Sequence, residues 1–462
     1  MRGEEIMEKN IEVLRTEGDI NLTKTRSLWQ GKHLSKESFE LLNDDSKYYL
    51  HQSLSTPCLN IIEKSYGIYI EDIDGRKYMD FHGNNVHQIG YGNEYVIQAV
   101  KEQLDILPFS PRRYTNKVAI QLAKKLVDIA PESLNKVLLT PGGTSAVGMA
   151  LKLVRKVTGK FKTISMWDSF HGASLDAISV GGEALFRNGM GPLMPGSLHI
   201  APYNSYRGLF DDDNGRFKSL DYLEYVLERE NEIGAIILEP VRCTDVHIPP
   251  KEYYQRLRNI CDRNNILLIF DEIPTALGRT GKMFTFENFG VIPDIVLLGK
   301  GLGGGVFPMA AMLVKGELDV AQDIALGHYT HEKSSLGCAA ALATLNYIED
   351  FKLIDKANQL GNYMRIRLKK MQEKYEIIGD VRGIGLLYGV ELVLNRNSKE
   401  KAISEAEQVM YKCMEKGLSF KVSQGNVLTL TPPLIIKEHQ LELAMDILEQ
   451  SIQEVLESNI DL

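Results

Sequence analysis

The sequence predicts an α/β fold, with a mostly parallel sheet in a large domain and a smaller α+β domain, on three observations. From Lys136 onward, short aliphatic runs alternate with helix-like segments, the pattern of strand and helix units around a parallel sheet. Three of these runs, Ala235 to Leu238, Ile266 to Phe270 and Ile295 to Leu298, show no polar alternation, as strands buried on both faces do. They stop at charged residues, Glu239, Asp271 and Lys300, at the strand edge where open α/β sheets place ligands. After residue 335 an alanine-rich helix, short glycine-punctuated strands and a helical end replace that series. The expected organisation is an arm over residues 1–50, a small α+β domain from 51–105 and 336–462, and a large domain over 106–335.

Composition narrows the function. With 462 residues, 44% hydrophobic and 25% charged, the chain can bury a large core. A net charge of −8 and the absence of a basic block speak against nucleic acid as a partner. Five cysteines without a CxxC pair suggest neither a zinc site nor a disulfide framework. Residues 1–30 are charged and lack an apolar leader core, and no stretch has 18 uninterrupted apolar residues, so a cytoplasmic protein without membrane contact is expected.

In chain order, residues 1–50 are polar and helix-prone with sparse apolar anchors such as Trp29, which suits an arm lying on another surface. Gly67 to Phe81 alternates on both sides of Asp74 Gly75, a hairpin signal. Phe81 to Gly92, with Asn84, Asn85 and His87, is a polar, glycine-rich segment directly after a strand; it either lines a site or merely connects. Arg112 and Arg113 with Tyr114 form a second such loop, suited to a phosphate, phosphonate or carboxylate but equally to solvent. Val137 to Leu139 leads into Thr140 Pro141 Gly142 Gly143 Thr144 and a helix through Val157, where free N–H groups and the helix dipole favour an anion, unless the turn is only tight. Trp167 to Gly172 places aromatic rings beside His171, for the core or for the face of a heterocycle.

Lys300 follows a buried strand and precedes a glycine run, so it is either a reactive amine or a lysine leaving the core for solvent. Gly299, Gly301 and Gly304 match the spacing of a dinucleotide fingerprint, but Phe307 to Val314 reads as a strand where that motif requires a helix. A lysine at one strand edge, an aspartate at the next, an anion-binding turn and an aromatic ring are together the parts that hold pyridoxal 5′-phosphate.

At this point the chain resembles the class III aminotransferases of fold type I, over about residues 55 to 450. The motifs are Ile269 Phe270 Asp271 Glu272 with Gly278 Arg279 Thr280 Gly281, and Pro293 Asp294 through Lys300 to Gly305. The resemblance implies that Lys300 is the Schiff-base lysine and Asp271 the partner of the pyridinium nitrogen. It implies that Gly143 and Thr144 hold the phosphate, that Phe170 stacks on the ring with His171 among the cofactor contacts, and that Glu239 lies at the coenzyme face. Thr330 matches the threonine that reaches the phosphate from the other subunit, which implies a homodimer, possibly assembled further into a tetramer. Two departures bear on the reaction. The phosphate turn reads Gly142 Gly143 Thr144 Ser145, and Thr429 stands where many relatives carry an arginine that clamps a substrate carboxylate. His82 to His87, Pro111 to Thr115 and Trp167 to Gly172 resemble one branch, ammonia-lyases acting on small hydroxy-amino phosphonates. For such a small-molecule amine, Arg112, Arg113, Asn84 and Asn85 are the substrate candidates; transamination to a 2-oxo acid is the alternative, and a racemase or aminomutase of this fold is a further one.

Overall fold

The computed structural model describes residues 23–53, 55–210 and 217–460. They form two compact units, one from residues 23–83, 244–246 and 358–460 and the other from 84–243 and 247–357. Of the expected arm, residues 1–22 lie outside the described chain. Residues Lys24–His33 and Lys36–Tyr48 are helices, each capped by a hydroxyl: Thr23 accepts from Arg26 N, and Ser35 from Ser38 N.

In the first unit, β1 (Ile62–Tyr66), β2 (Tyr69–Asp72) and β3 (Lys77–Asp80) form an antiparallel meander. The expected Asp-Gly turn joins β2 to β3, with Gly75 at φ +79° and the register Tyr69 opposite Met79. Asp72 locks it: buried, its carboxylate accepts from Arg76 N at 2.8 Å and from Tyr78 Oη at 2.9 Å.

The second unit holds β4 (Lys136–Thr140), β5 (Lys162–Met166), β6 (Ser197–Ile200), β7 (Ile233–Leu238), β8 (Leu267–Asp271), β9 (Ile295–Leu298) and β10 (Ala310–Val314), in spatial order β4-β10-β9-β8-β7-β5-β6. Strands β9, β8, β7, β5 and β6 run parallel, and β10 is antiparallel to both β4 and β9. The register sets Asp271 opposite Leu297, so the ends of β8 and β9 are neighbours. Every residue of β7, β9 and β10 is buried, which accounts for their unbroken aliphatic sequences. The helix Gly143–Thr158 lays Ala146, Met149, Ala150 and Leu153 on this sheet against Ile237, Ile269 and Leu297.

The first unit is completed by β11 (Ile378–Ile384), β12 (Leu387–Asn395), β13 (Glu400–Lys401), β14 (Leu418–Ser419), β15 (Lys421–Ser423) and β16 (Val427–Leu430). β14 extends the meander in parallel with β3, and the others form a second sheet. β16 stops at Leu430, because Thr431 N and Oγ1 both donate to Phe81 O at 2.8 Å.

The expected domain boundaries need correction. Residues 84–105 and 336–357 lie with the large unit, because the helix Glu94–Ile106 packs on the helix Ser335–Asp350. Ala339, Ala340 and Ala341 are buried there; small side chains on several faces let neighbours approach closely and leave no amphipathic stripe to mark the packing. Among the described residues no helix is long and apolar enough to cross a membrane.

Candidate active site

The site is assembled by loops at the strand ends of the parallel sheet. After β9, Gly299 is extended and Lys300 adopts φ +45°, opening a single 3₁₀ turn over Lys300–Gly303. A left-handed conformation costs a non-glycine residue about 1–2 kcal/mol, and such strain collects at functional positions. Backbone bonds from Leu302 N to Gly299 O and from Gly304 N to Gly301 O, both 2.9 Å, hold the turn. Lys300 is half-buried, and its amine has no hydrogen-bond or ion-pair partner among the described residues.

Asp271 ends β8 and is buried. Its Oδ2 faces His171 Nδ1 at 2.8 Å, and its Oδ1 accepts from Ile273 N at 3.1 Å. His171 is buried too, and its Nε2 is unpartnered among the described residues. With Nδ1 donating to the carboxylate, the second ring nitrogen remains available to another group.

Ile273 is the common wall of the cluster. A Cβ on Gly143 would stand 2.8 Å from its Cδ1, and one on Gly299 3.2 Å from its Cγ2. Glycine at both positions therefore brings the start of the helix Gly143–Thr158 and the Lys300 turn onto one side chain, two residues beyond Asp271. The helix begins at Gly142 with no side-chain cap, which leaves its first N–H groups to an external acceptor. Thr144 Oγ1 lies 2.6 Å from Ser174 Oγ, and a Cβ on Gly172 would meet it at 2.6 Å, so the His171 Gly172 turn presses on the helix start.

Glu239, at the end of β7, accepts from Phe170 N at 3.3 Å and from Cys243 N at 3.1 Å. Burial raises its pKa, opposed by the His171 imidazole and reinforced by the charge on Asp271. Phe170 is half-buried, with its ring 4.6 Å from that of Phe186. Trp167 instead stacks on His199.

The remaining candidates lie on other segments. Arg112 and Arg113 are exposed, and the Arg112 guanidinium rests on the His328 imidazole at 2.7 and 2.6 Å, tying this loop to the one carrying exposed Thr330. No hydrogen bond among the described residues joins either loop to the Asp271 cluster. Asn84 is exposed, whereas Asn85 is buried and donates to Cys243 Sγ at 3.4 Å. Sequence reasoning missed Ile273, Ser174 and Cys243, because each contributes only through a neighbour that the fold supplies.

Glu272, beside Asp271, is fully buried and accepts from Thr285 N at 2.5 Å and Phe286 N at 2.7 Å. Burial pushes its pKa up to about 8, partly opposed by those two donors. From about pH 4.5 to about 8 the unfolded chain therefore releases a proton that the folded chain keeps. Stability contributed below that window is lost as pH rises through it, at up to about 1.4 kcal/mol per pH unit. Glu272→Gln should flatten this decline in unfolding midpoints measured from pH 5 to 8; parallel declines would assign the effect to another group.

A family model described as Aminotransferase class-III matches residues 50–452. The chain belongs to the class III aminotransferases. It is 52% identical over 457 residues to the (R)-1-hydroxy-2-aminoethylphosphonate ammonia-lyase of Vibrio splendidus, covering 96% of this chain and 95% of that protein. It is 34% identical to the leucine/methionine racemase of Thermococcus litoralis, covering 91% and 97%. Among solved structures, the omega transaminase of Pseudomonas jessenii in complex with PMP superposes with a TM-score of 0.86 at 28% identity, covering 90% and 98%. This class III aminotransferase is thus a fold type I enzyme dependent on pyridoxal 5′-phosphate. Its cluster suits that group: an amine without a partner, an uncapped helix start and a buried carboxylate backed by an imidazole.

Proposed function

We propose that this class III aminotransferase is an ammonia-lyase that converts (R)-1-hydroxy-2-aminoethylphosphonate to phosphonoacetaldehyde and ammonia. The observation that carries the reading is the 52% identity to the Vibrio splendidus enzyme over nearly the full length of both chains. Thr429 supports it. By resemblance it replaces an arginine that binds a substrate carboxylate, and its hydroxyl is already committed to Thr244 O at 2.7 Å and Ser423 Oγ at 3.1 Å.

In this reading Lys300 would hold the coenzyme through its ε-amine, Asp271, bonded to His171, would support the pyridine nitrogen, and the N–H groups from Gly143 and Thr144 would hold the phosphate. Phe170 and Glu239 would bound the ring, and Glu239 is fixed by the backbone of Phe170 and Cys243. Bound pyridoxal phosphate supplies an electron sink for the carbon that loses its proton. Once free, the Lys300 amine takes that proton from the amine-bearing carbon, and the resulting ammonium is the acid that protonates the departing hydroxyl. Water leaves, and the enamine product takes water back as it hydrolyses to the aldehyde and ammonia, so no amino acceptor is consumed. Arg112 and Arg113 are the cations proposed for the phosphonate, and Asn84 and Asn85 further substrate contacts. By the family resemblance, Thr330, which is exposed, would serve the partner's coenzyme in a homodimer.

Purified holoenzyme given (R)-1-hydroxy-2-aminoethylphosphonate should release ammonia and aldehyde in equal amounts with no 2-oxo acid present. Product formation that requires pyruvate or 2-oxoglutarate would establish transamination instead.

A further inference from the structure

Two buried side chains lie on the segment before the helix Glu94–Ile106: Gln88, which has no role above, and Asn85, named above only as a substrate contact. Gln88 is 1% exposed, and neither its Oε1 nor its Nε2 has a hydrogen-bond partner among the described residues. Asn85, 7% exposed, commits its Nδ2 to Cys243 Sγ but leaves Oδ1 buried and unpartnered. Apolar side chains of similar shape would avoid the penalty of burying unpaired amide atoms. Retained in the folded chain, such atoms call for a partner from outside it.

Their placement indicates where that partner arrives. The Gln88 amide lies directly on Gly301: a Cβ there would stand 1.8 Å from Oε1 and 2.7 Å from Nε2, so any larger residue beside Lys300 would displace this amide. Asn85 lies on Cys243, whose N–H is bonded to Glu239. The segment therefore touches both the Lys300 turn and the loop after β7. Asn84 and Asn85 hold left-handed backbone at φ +46° and +57°, strain of the kind kept where side-chain direction matters.

A free carbonyl on Asn85 and a free amide on Gln88 together offer acceptors and a donor, the complement of a hydroxyl group, which both donates and accepts. We propose that Asn85 and Gln88 form the subsite for the hydroxyl of the substrate and so distinguish a hydroxy-amino phosphonate from its deoxy counterpart. The inference rests on the ammonia-lyase reading and names the residues that meet the leaving group.

The test uses Lys300→Ala protein reconstituted with pyridoxal phosphate, which can bind an amine without turning it over. Affinities for (R)-1-hydroxy-2-aminoethylphosphonate and 2-aminoethylphosphonate are read by absorbance titration. The hydroxylated ligand should bind about tenfold tighter. Adding Gln88→Met, which conserves volume, or Asn85→Gly, which suits the left-handed backbone, should bring that ratio toward one. A ratio that neither substitution moves, or equal losses for both ligands, overturns the subsite. Ammonia release by the otherwise unaltered enzyme is measured separately, so a failed reaction and a failed subsite give different results.

Discussion

Lys300→Ala is expected to reduce ammonia release by at least about 10⁴-fold, because one substitution removes both the proposed covalent anchor and the proposed proton-transfer group. The absorption band of the lysine-linked coenzyme should vanish with it, while pyridoxal phosphate still binds through the helix start at Gly143 and the Asp271 cluster. Folding should survive, since Lys300 is half-buried and its amine bonds nothing in the described protein. The left-handed backbone at φ +45° disfavours alanine as it does lysine, so Lys300→Gly serves as the control for strain. Substantial turnover in either variant, or a wild-type protein that gains no absorbance from added coenzyme, would remove Lys300 from its assigned role.

Asp271→Asn should lower kcat by about 10²- to 10³-fold, the scale of losing one preorganised charge from a buried site. The amide keeps the shape and can still accept from Ile273 N, but it no longer offers a charge to the pyridine nitrogen or to His171 Nδ1, 2.8 Å from the carboxylate. Coenzyme affinity should weaken in the same variant, read by titration of the apoenzyme. If kcat is retained and only stability changes, the Asp271 and His171 pair is architectural. The Lys300 prediction tests the proton transfer, and the Asp271 prediction tests the electronic support for it. Together they bear on the catalytic roles independently of which amine is the substrate.

Much of the architecture was legible because burial on both faces leaves a mark in sequence. β7, β8 and β9 read as unbroken aliphatic runs that stop at Glu239, Asp271 and the Gly299 Lys300 turn, and the structure places those ends side by side. The Asp74 Gly75 turn was legible for a different reason: its backbone needs a positive φ that glycine supplies. The place of the helix Ser335–Asp350 with the large unit is not legible, since an alanine surface buried on several sides carries no stripe to say which neighbour it meets. The pairing of Asp271 with His171, 100 positions apart, has no local signature either; motif resemblance named both residues, and only the fold showed the bond between them.

For this protein, then, sequence alone determined the parallel sheet, the charged residues at its strand ends and the coenzyme they suit, because hydrophobic periodicity, glycine conformation and motif spacing are local properties. Tertiary structure decided which of those residues meet. It packed Gly143 and Gly299 onto Ile273, set Arg112 against His328 on an exposed loop, and laid the unpartnered amide of Gln88 on the glycine that follows Lys300. These are contacts between segments tens to hundreds of residues apart, fixed by close packing across the fold and therefore invisible to any window along the chain.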